Sequence, residues 1–273
     1  MLVEVVTPEG LVLLQSPLLR DAGFAHGFST RIGGVSSAPF DTLNLQSSRA
    51  NADLDASERD AESNLLENRR RFAKATGIDP SRPIAEVSQV HGCGVATSVD
   101  ALAARQFADA MTSAPGEGAA LIRIADCVPI LVGCNATGMV AAMHAGWRGV
   151  VAGVVGSGIA ALLSRGAQRA SLRAAIGPCI RTEQFEIGDE VTTAFSKAGL
   201  REFITEFKQP SGKQHADLVK AVSMQLRGAG IAARNFDSGP PCTFEDPKRF
   251  FSFRRDGVRS GRLAAIIAPR GVP

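Results

Sequence analysis

The segment from Ala125 to Gly149, ADCVPILVGCNATGMVAAMHAGWRG, leaves this chain few ways to fold. Two apolar runs, Val128 to Cys134 and Met139 to Ala145, flank the tetrad Asn135-Ala136-Thr137-Gly138, whose residue types favour turns. The simplest solution is an antiparallel hairpin. If Cys134 faces Met139, paired positions sum to 273, Cys127 comes opposite Gly146, and His144 lies one diagonal step away on the same face. Diagonal neighbours sit roughly 7–8 Å apart at Cα, so a thiolate and an imidazole placed there can share a metal ion or a proton. A one-residue bulge would break this register. The plain alternative is a buried apolar cysteine beside a hydrogen-bonded core histidine.

A chain of 273 residues can bury roughly three-quarters of its unfolded surface, enough for a sizeable core. Hairpin and helix signals are mixed along it, without repeats, low-complexity tracts or a dividing linker. This predicts one intertwined α+β domain spanning 1–273. Thirty Lys and Arg stand against 27 Asp and Glu, a net charge of +3, which gives no global electrostatic case for nucleic acid or an acidic membrane. A small-molecule partner fits better. Five cysteines, at 93, 127, 134, 179 and 242, form no C-x-x-C pair and point to a reducing compartment. No basic segment precedes an apolar core in Met1 to Gly10, so a cytoplasmic protein is expected. The uncharged stretch Gly149 to Ser164 is 16 residues long, short of the roughly 20 that span a bilayer. It reads as one small-residue helix lying close on a sheet.

Along the chain, the runs Leu2 to Val6 and Leu11 to Leu14 around Pro8-Glu9-Gly10 predict a first hairpin. Arg31 beside Gly33 and Gly34 sets a cation next to backbone amides that can turn towards an anion. Ser57 with Asp60 predicts a cap for a helix ending at Gly77. A strand from Ile84 to Val90 ends at His91, and a strand from Ala119 to Ile124 delivers Asp126 and Cys127. Arg148 and the helix start at Gly149 are a second candidate for holding an anion such as phosphate. Six basic residues between Cys242 and Arg262 interleave with Phe250, Phe251 and Phe253, predicting buried aromatic anchors with arginines turned to an anionic substrate or acidic partners.

His91, Cys127 and His144 each end an apolar, strand-like run. Two nitrogen ligands and one sulfur suit zinc, and three protein ligands leave a fourth position for water or substrate. A structural zinc would need a fourth ligand, for which Cys93, Cys179 and Cys242 are the candidates. A metal-free site is the other reading, with Cys127 as nucleophile, His144 as base and Asp126 as orienter. Four histidines in all allow at most one such metal and exclude a four-copper cluster.

The strings TRIGGVS, SQVHG, ADCVPIL, HAGWRG, IGPCI and FFSFRRDG followed by SGR, in that order, resemble the laccase-domain family. That family was once described as multicopper polyphenol oxidase. It is now described as purine nucleoside phosphorylase with adenosine deaminase activity and, in bacteria, as peptidoglycan-editing factor. The resemblance implies a layered α/β/β/α fold similar to the cytotoxic necrotizing factor catalytic domain, with metal ligands at His91, Cys127 and His144. It further implies phosphorolysis of adenosine, inosine and methylthioadenosine with inorganic phosphate, together with deamination of adenosine. Zinc is the expected metal, with copper second, and phosphate is placed near Arg31, Gly34 and Arg148. The competing reading is a Cys127–His144 hydrolase acting on an amide in peptidoglycan precursor editing. The chain departs from the family pattern in having no tyrosine, so that Phe253 stands in FSFRR where FSYRR is usual. Gln184-Phe185-Glu186 likewise replaces a tyrosine-containing turn, and Gln46-Ser47-Ser48 lacks an expected Gly and His.

Overall fold

The structure is a computed structural model that describes residues 1–48, 51, 55, 59–206 and 212–271. Its strands, in chain order, are β1 (Val3–Val6), β2 (Val12–Gln15), β3 (His26–Ser29), β4 (Ile84–Glu86), β5 (Val95–Thr97), β6 (Ala110–Ser113), β7 (Ala119–Ile124) and β8 (Val128–Cys134). They continue with β9 (Val140–Ala145), β10 (Leu172–Ile176), β11 (Glu186–Ile187), β12 (Ile204–Glu206), β13 (Gln214–Ala216), β14 (Phe236–Asp237) and β15 (Leu263–Ile267). The α-helices are α1 (Pro17–Asp21), α2 (Glu62–Ala75), α3 (Ser98–Ala103), α4 (Trp147–Ala152), α5 (Val154–Ser164), α6 (Asp189–Lys197), α7 (Leu218–Gly228) and α8 (Phe253–Asp256).

Two six-stranded sheets run in the orders β1-β2-β3-β15-β7-β4 and β14-β10-β8-β9-β6-β5, beside a small sheet β11-β13-β12. Alternation along the strands sorts the core into three layers of contact. Phe28, Ala120, Ile122, Ala265 and Ile267 of the first sheet meet Met111, Leu131, Val140, Ala142 and Ala175 of the second. On its other face the first sheet packs Leu13, Leu121, Ala264 and Ile266 against Phe72 and Ala73 of α2. The second sheet turns Val128, Ile130, Val132, Ala141, Met143 and Ala174 towards α4, α5, α6 and α7. The result is the expected α+β architecture, layered α/β/β/α. The runs around the 135–138 turn are apolar throughout because β8 and β9 are buried on both faces.

The hairpin register is the one the turn predicts. Val128 pairs with Ala145, Pro129 with His144 and Gly133 with Val140. No bulge intervenes, so His144 lies on the face shared by Leu131 and Ala142, between the two sheets. The first hairpin also forms, β1 pairing with β2 from Val3 opposite Gln15 to Val6 opposite Val12.

Three local expectations are corrected. The helix read from Gly149 to Ser164 is two helices, α4 and α5, parted at Gly153, whose φ of 80° is left-handed. Its N–H closes α4 on the carbonyls of Gly149 and Val150, and α5 starts at Val154. The strand expected to reach Val90 ends at Glu86, beyond which Ser88 makes an isolated parallel bridge to Phe107. Helix α2 begins at Glu62 behind Ala61, and the Asp60 carboxylate instead accepts from Ser36 Oγ, Asn44 Nδ2, Asn64 Nδ2 and the Ala61 amide. Ser57, and most of the loop read over 47–56, lie outside the described residues.

One buried polar contact ties the start of the chain to the core. The Ser16 amide donates to His26 Nε2 at 2.9 Å, and His26 Nδ1 donates to the Phe24 carbonyl at 2.9 Å. Both ring nitrogens are engaged by the neutral imidazole, and burial pushes the pKa down to about 4. The unfolded chain therefore takes up a proton at His26 below about pH 6.5 that the folded chain refuses until about pH 4. Stability from this group is complete above pH 6.5 and is lost as pH falls through that window, by about 3 kcal/mol in total. Urea unfolding of the native protein and of His26→Gln at pH 7 and pH 4.5 checks this: the acid loss is smaller in the variant by roughly that amount.

Candidate metal and nucleoside site

At one end of the layer between the sheets, the structure brings together three residues from two loops and a strand. The ligand atoms of His91, Cys127 and His144 all lie within 4.8 Å of one another. His144 comes from β9, Cys127 from the link between β7 and β8, and His91 from the segment after β4. The imidazoles of His91 and His144 meet edge to face with centroids 4.9 Å apart. An added Cβ at Gly146 would come 2.9 Å from His91 Cδ2 and 3.0 Å from Cys127 Sγ. The position that the register set opposite Cys127 must therefore have no side chain.

Both link segments hold a non-glycine residue in the left-handed region, His91 at φ 60° and Asp126 at φ 92°. Such conformations cost on the order of 1–3 kcal/mol and persist only where neighbours fix them. Asp126 is fixed by its carboxylate, which accepts from Thr243 Oγ1 at 2.6 Å, Ser252 Oγ at 3.0 Å and the Arg254 amide at 2.7 Å. Those bonds aim Cys127 at the histidines and commit the Asp126 carboxylate away from His144.

The carboxylate that does orient His144 is Asp109. It is fully buried, and its Oδ1 lies 2.8 Å from His144 Nδ1. The same oxygen accepts the His91 amide at 2.9 Å, while Oδ2 accepts those of Val90 at 3.2 Å and Gly92 at 2.7 Å. One side chain thus holds the backbone beneath His91 and leaves His144 Nε2 facing the cluster. Burial alone would raise the Asp109 pKa, but the His144 hydrogen bond and the Gly92 and His91 amides bring it below the usual carboxylate value. Its only sequence signal is an acid set between alanines, Ala108-Asp109-Ala110, at the start of an apolar strand.

Cys127 and His144 polarise each other. Burial opposes charge on both, yet the Cys127 thiol is brought down to about 6 by the charge of His144 and by hydrogen bonds from His144 and His91. His144 is raised to about 9 by the charge of Cys127 and by the Asp109 bond. In the metal-free site each partner thus favours the charged form of the other, thiolate with imidazolium.

The cluster forms the foot of a cleft of about 650 Å³. Its walls include Gln89, Phe253, Ser47, Ser48, Arg123 and Arg262. Arg31, Gly34 and Arg148 are not among the described lining residues. Arg31 donates to the carbonyls of Asp41 and Pro247, pairs with the Asp41 carboxylate at 3.1 Å and lies 4.4 Å over the Phe251 ring. The Gly34 amide donates to Thr42 Oγ1 at 3.0 Å. Arg148 pairs with Glu190 at 2.9 Å and covers Trp147 from outside. Phe250 and Phe251 are buried anchors, as the tail's pattern predicts, while Phe253 is 48% exposed on the cleft.

Replacing Asp109 by Asn removes the charge that favours imidazolium at His144, and with it part of the support for the thiolate. In metal-stripped protein, the pH profile of Cys127 alkylation by iodoacetamide, read by peptide mass spectrometry, moves from a midpoint of about 6 upwards by on the order of one unit. An unmoved midpoint would contradict the role given to Asp109.

Residues 25–270 match the family described as multi-copper polyphenol oxidoreductase laccase. A purine nucleoside phosphorylase of Deinococcus radiodurans is 35% identical over 263 residues, covering 96% of this chain and 94% of that protein. Adenosine deaminase RL5, from an unknown prokaryotic organism, is 33% identical over 208 residues, covering 72% of this chain and 79% of that protein. The crystal structure of YlmD from Geobacillus stearothermophilus matches with a TM-score of 0.81 at 26% identity, covering 99% of this chain and all of that one. With its layered fold, its matching motifs and this coverage, the chain belongs to the multi-copper polyphenol oxidoreductase laccase family.

Proposed function

We propose that this protein is a cytoplasmic, metal-dependent purine nucleoside phosphorylase with adenosine deaminase activity, acting on adenosine, inosine and methylthioadenosine. The observation that carries the reading is the convergence of His91, Cys127 and His144 at the foot of a nucleoside-sized cleft. The names of the similar proteins, phosphorylase and adenosine deaminase, support the two activities. Five free cysteines agree with a cytoplasmic place.

The donor set would fit one zinc ion, with copper the second choice: two imidazoles and a thiolate whose deprotonation is already favoured, all three residues lining the cleft. Neither remaining histidine joins the cluster, since His26 is engaged at both nitrogens and His215 bonds the Thr182 carbonyl. When bound, such a metal supplies a Lewis acid and eases deprotonation of water at neutral pH. Asp109 keeps the proton on His144 Nδ1 and so presents Nε2 to the cluster. Phe253, 48% exposed at the cleft with the Arg262 guanidinium 5.6 Å from its ring centroid, offers its remaining aromatic surface to the purine. In phosphorolysis a phosphate oxygen forms a bond to ribose C1′ while the C1′–N9 bond breaks, its electron pair leaving with the base, which is protonated.

The depressed Cys127 thiol also favours a second reading, a hydrolase in which Cys127 attacks an amide of a peptidoglycan precursor and His144 shuttles the proton. The two readings separate on metal dependence. Under the leading reading, purified protein releases adenine or hypoxanthine only with inorganic phosphate. Stripping the metal, or the exchange Cys127→Ala, then lowers that release at least a hundredfold, and added zinc restores only the native protein. Release without phosphate would overturn phosphorolysis, and full amide hydrolysis after metal removal would favour the hydrolase.

A further inference from the structure

The cleft is strongly cationic within a chain of small net charge. Its described lining holds four arginines, Arg69, Arg105, Arg123 and Arg262, against one carboxylate, Glu86. Three of the four are engaged elsewhere. Arg69 and Arg123 each reach Glu86 Oε1 at 2.7 Å and also donate to the carbonyls of Ile84 and Leu45. Arg105 donates to Ser88 Oγ and lies over the Phe107 ring.

Arg262 differs. Its Nη1 is anchored on the carbonyls of Ser260 at 2.6 Å and Gly261 at 3.2 Å, whereas Nε and Nη2 make no hydrogen bond among the described residues. Neither atom is sealed in the interior without a partner, so that edge of the guanidinium opens to the cleft. No carboxylate pairs with it among the described residues, although the charges of Cys127 and Asp126 act on it. Its backbone is held at both ends: its amide donates to Asn44 Oδ1 at 2.9 Å and its carbonyl accepts from Leu45 at 2.9 Å. The group is a fixed cation with an unused two-donor edge beside the metal-ligating cysteine, with Ser47 and Ser48 lining the same cleft.

We propose that Arg262 is the oxyanion-binding residue of this cleft, holding the tetrahedral phosphate that is the co-substrate of phosphorolysis, in place of Arg31 and Arg148. The assignment rests on the phosphorolysis proposed above. A guanidinium fork matches two oxygens of a tetrahedral anion, and Nη1 anchoring removes rotamer freedom before the anion arrives. Anchored beside Cys127, the phosphate is within the same cleft as the nucleoside, as attack at C1′ requires.

Calorimetric titration of inorganic phosphate into the zinc-loaded native protein, Arg262→Gln and Arg262→Lys tests this. Phosphate binds the native protein, at least tenfold more weakly to the Gln variant and with intermediate affinity to the folded Lys variant, which keeps the charge and loses the fork. In turnover, the KM for phosphate rises at least tenfold in Arg262→Gln while the KM for nucleoside stays within twofold. In the native protein, phosphate but not chloride slows alkylation of Cys127. Phosphate affinity unchanged in both variants, or a loss confined to nucleoside KM, would overturn the assignment. A second arm replaces inorganic phosphate with adenosine 5′-monophosphate: tighter Arg262-dependent binding of the nucleotide would overturn orthophosphate as the occupant. If native protein binds phosphate through Arg262 yet never releases a base, the phosphorolysis reading fails and the oxyanion site stands.

Discussion

The buried carboxylate of Asp109 is the constraint on which the site depends. A carboxylate with no solvent contact must be met by hydrogen-bond donors, or its burial costs several kcal/mol. Here the donors are the amides of Val90, His91 and Gly92 and the ring of His144. Satisfying one acid therefore gathers a loop and a strand that are far apart in sequence. The Asp109 carbonyl adds a bond from the His144 amide at 2.7 Å, so backbone and side chain of one residue fix the same histidine. Asp126 does the corresponding work for Cys127 from the opposite side, through Thr243, Ser252 and the Arg254 amide. Two inner acids, neither offering a free oxygen to the cleft, set the spacing of the three residues that do.

What was legible in the sequence follows from how local its cause is. The hairpin register could be read because a four-residue turn between two fully buried strands leaves one pairing that keeps both faces apolar. The pairing of Cys127 with His144 followed from it. The break at Gly153 was hidden, because glycine can occupy a helix interior as well as a left-handed stop, and the flanking small residues favour neither. Asp109 was hidden for a different reason: its partners are amides, which every residue has, so nothing in their side chains announces the contact.

The arginines show the same limit more sharply. A cation beside paired glycines, or at a helix start, is a sound local pattern for an anion site. Yet Arg31 is folded onto Phe251 and Asp41, and Arg148 onto Trp147 and Glu190. Arg262 is one of six basic residues in the Phe-rich tail, and nothing local sets it apart from the other five. Its distinction appears only when the partners of every cleft arginine are known, since the availability of a charge is a property of the assembled network and not of the motif around it. The same holds for net charge: +3 over the whole chain conceals a cleft lined by four arginines and one glutamate.

Gly146 turns these geometric facts into a rule about variation. A methyl group there would press on both His91 and Cys127, two residues donated by separate loops. The width of the His91–Cys127–His144 cluster is thus governed by an atom that is missing, at the hinge where β9 passes into α4. Changes elsewhere in the hairpin alter packing by degrees. A change at this hinge drives a wedge between His91 and Cys127, so the position behaves as a spacer whose only permitted thickness is that of the backbone.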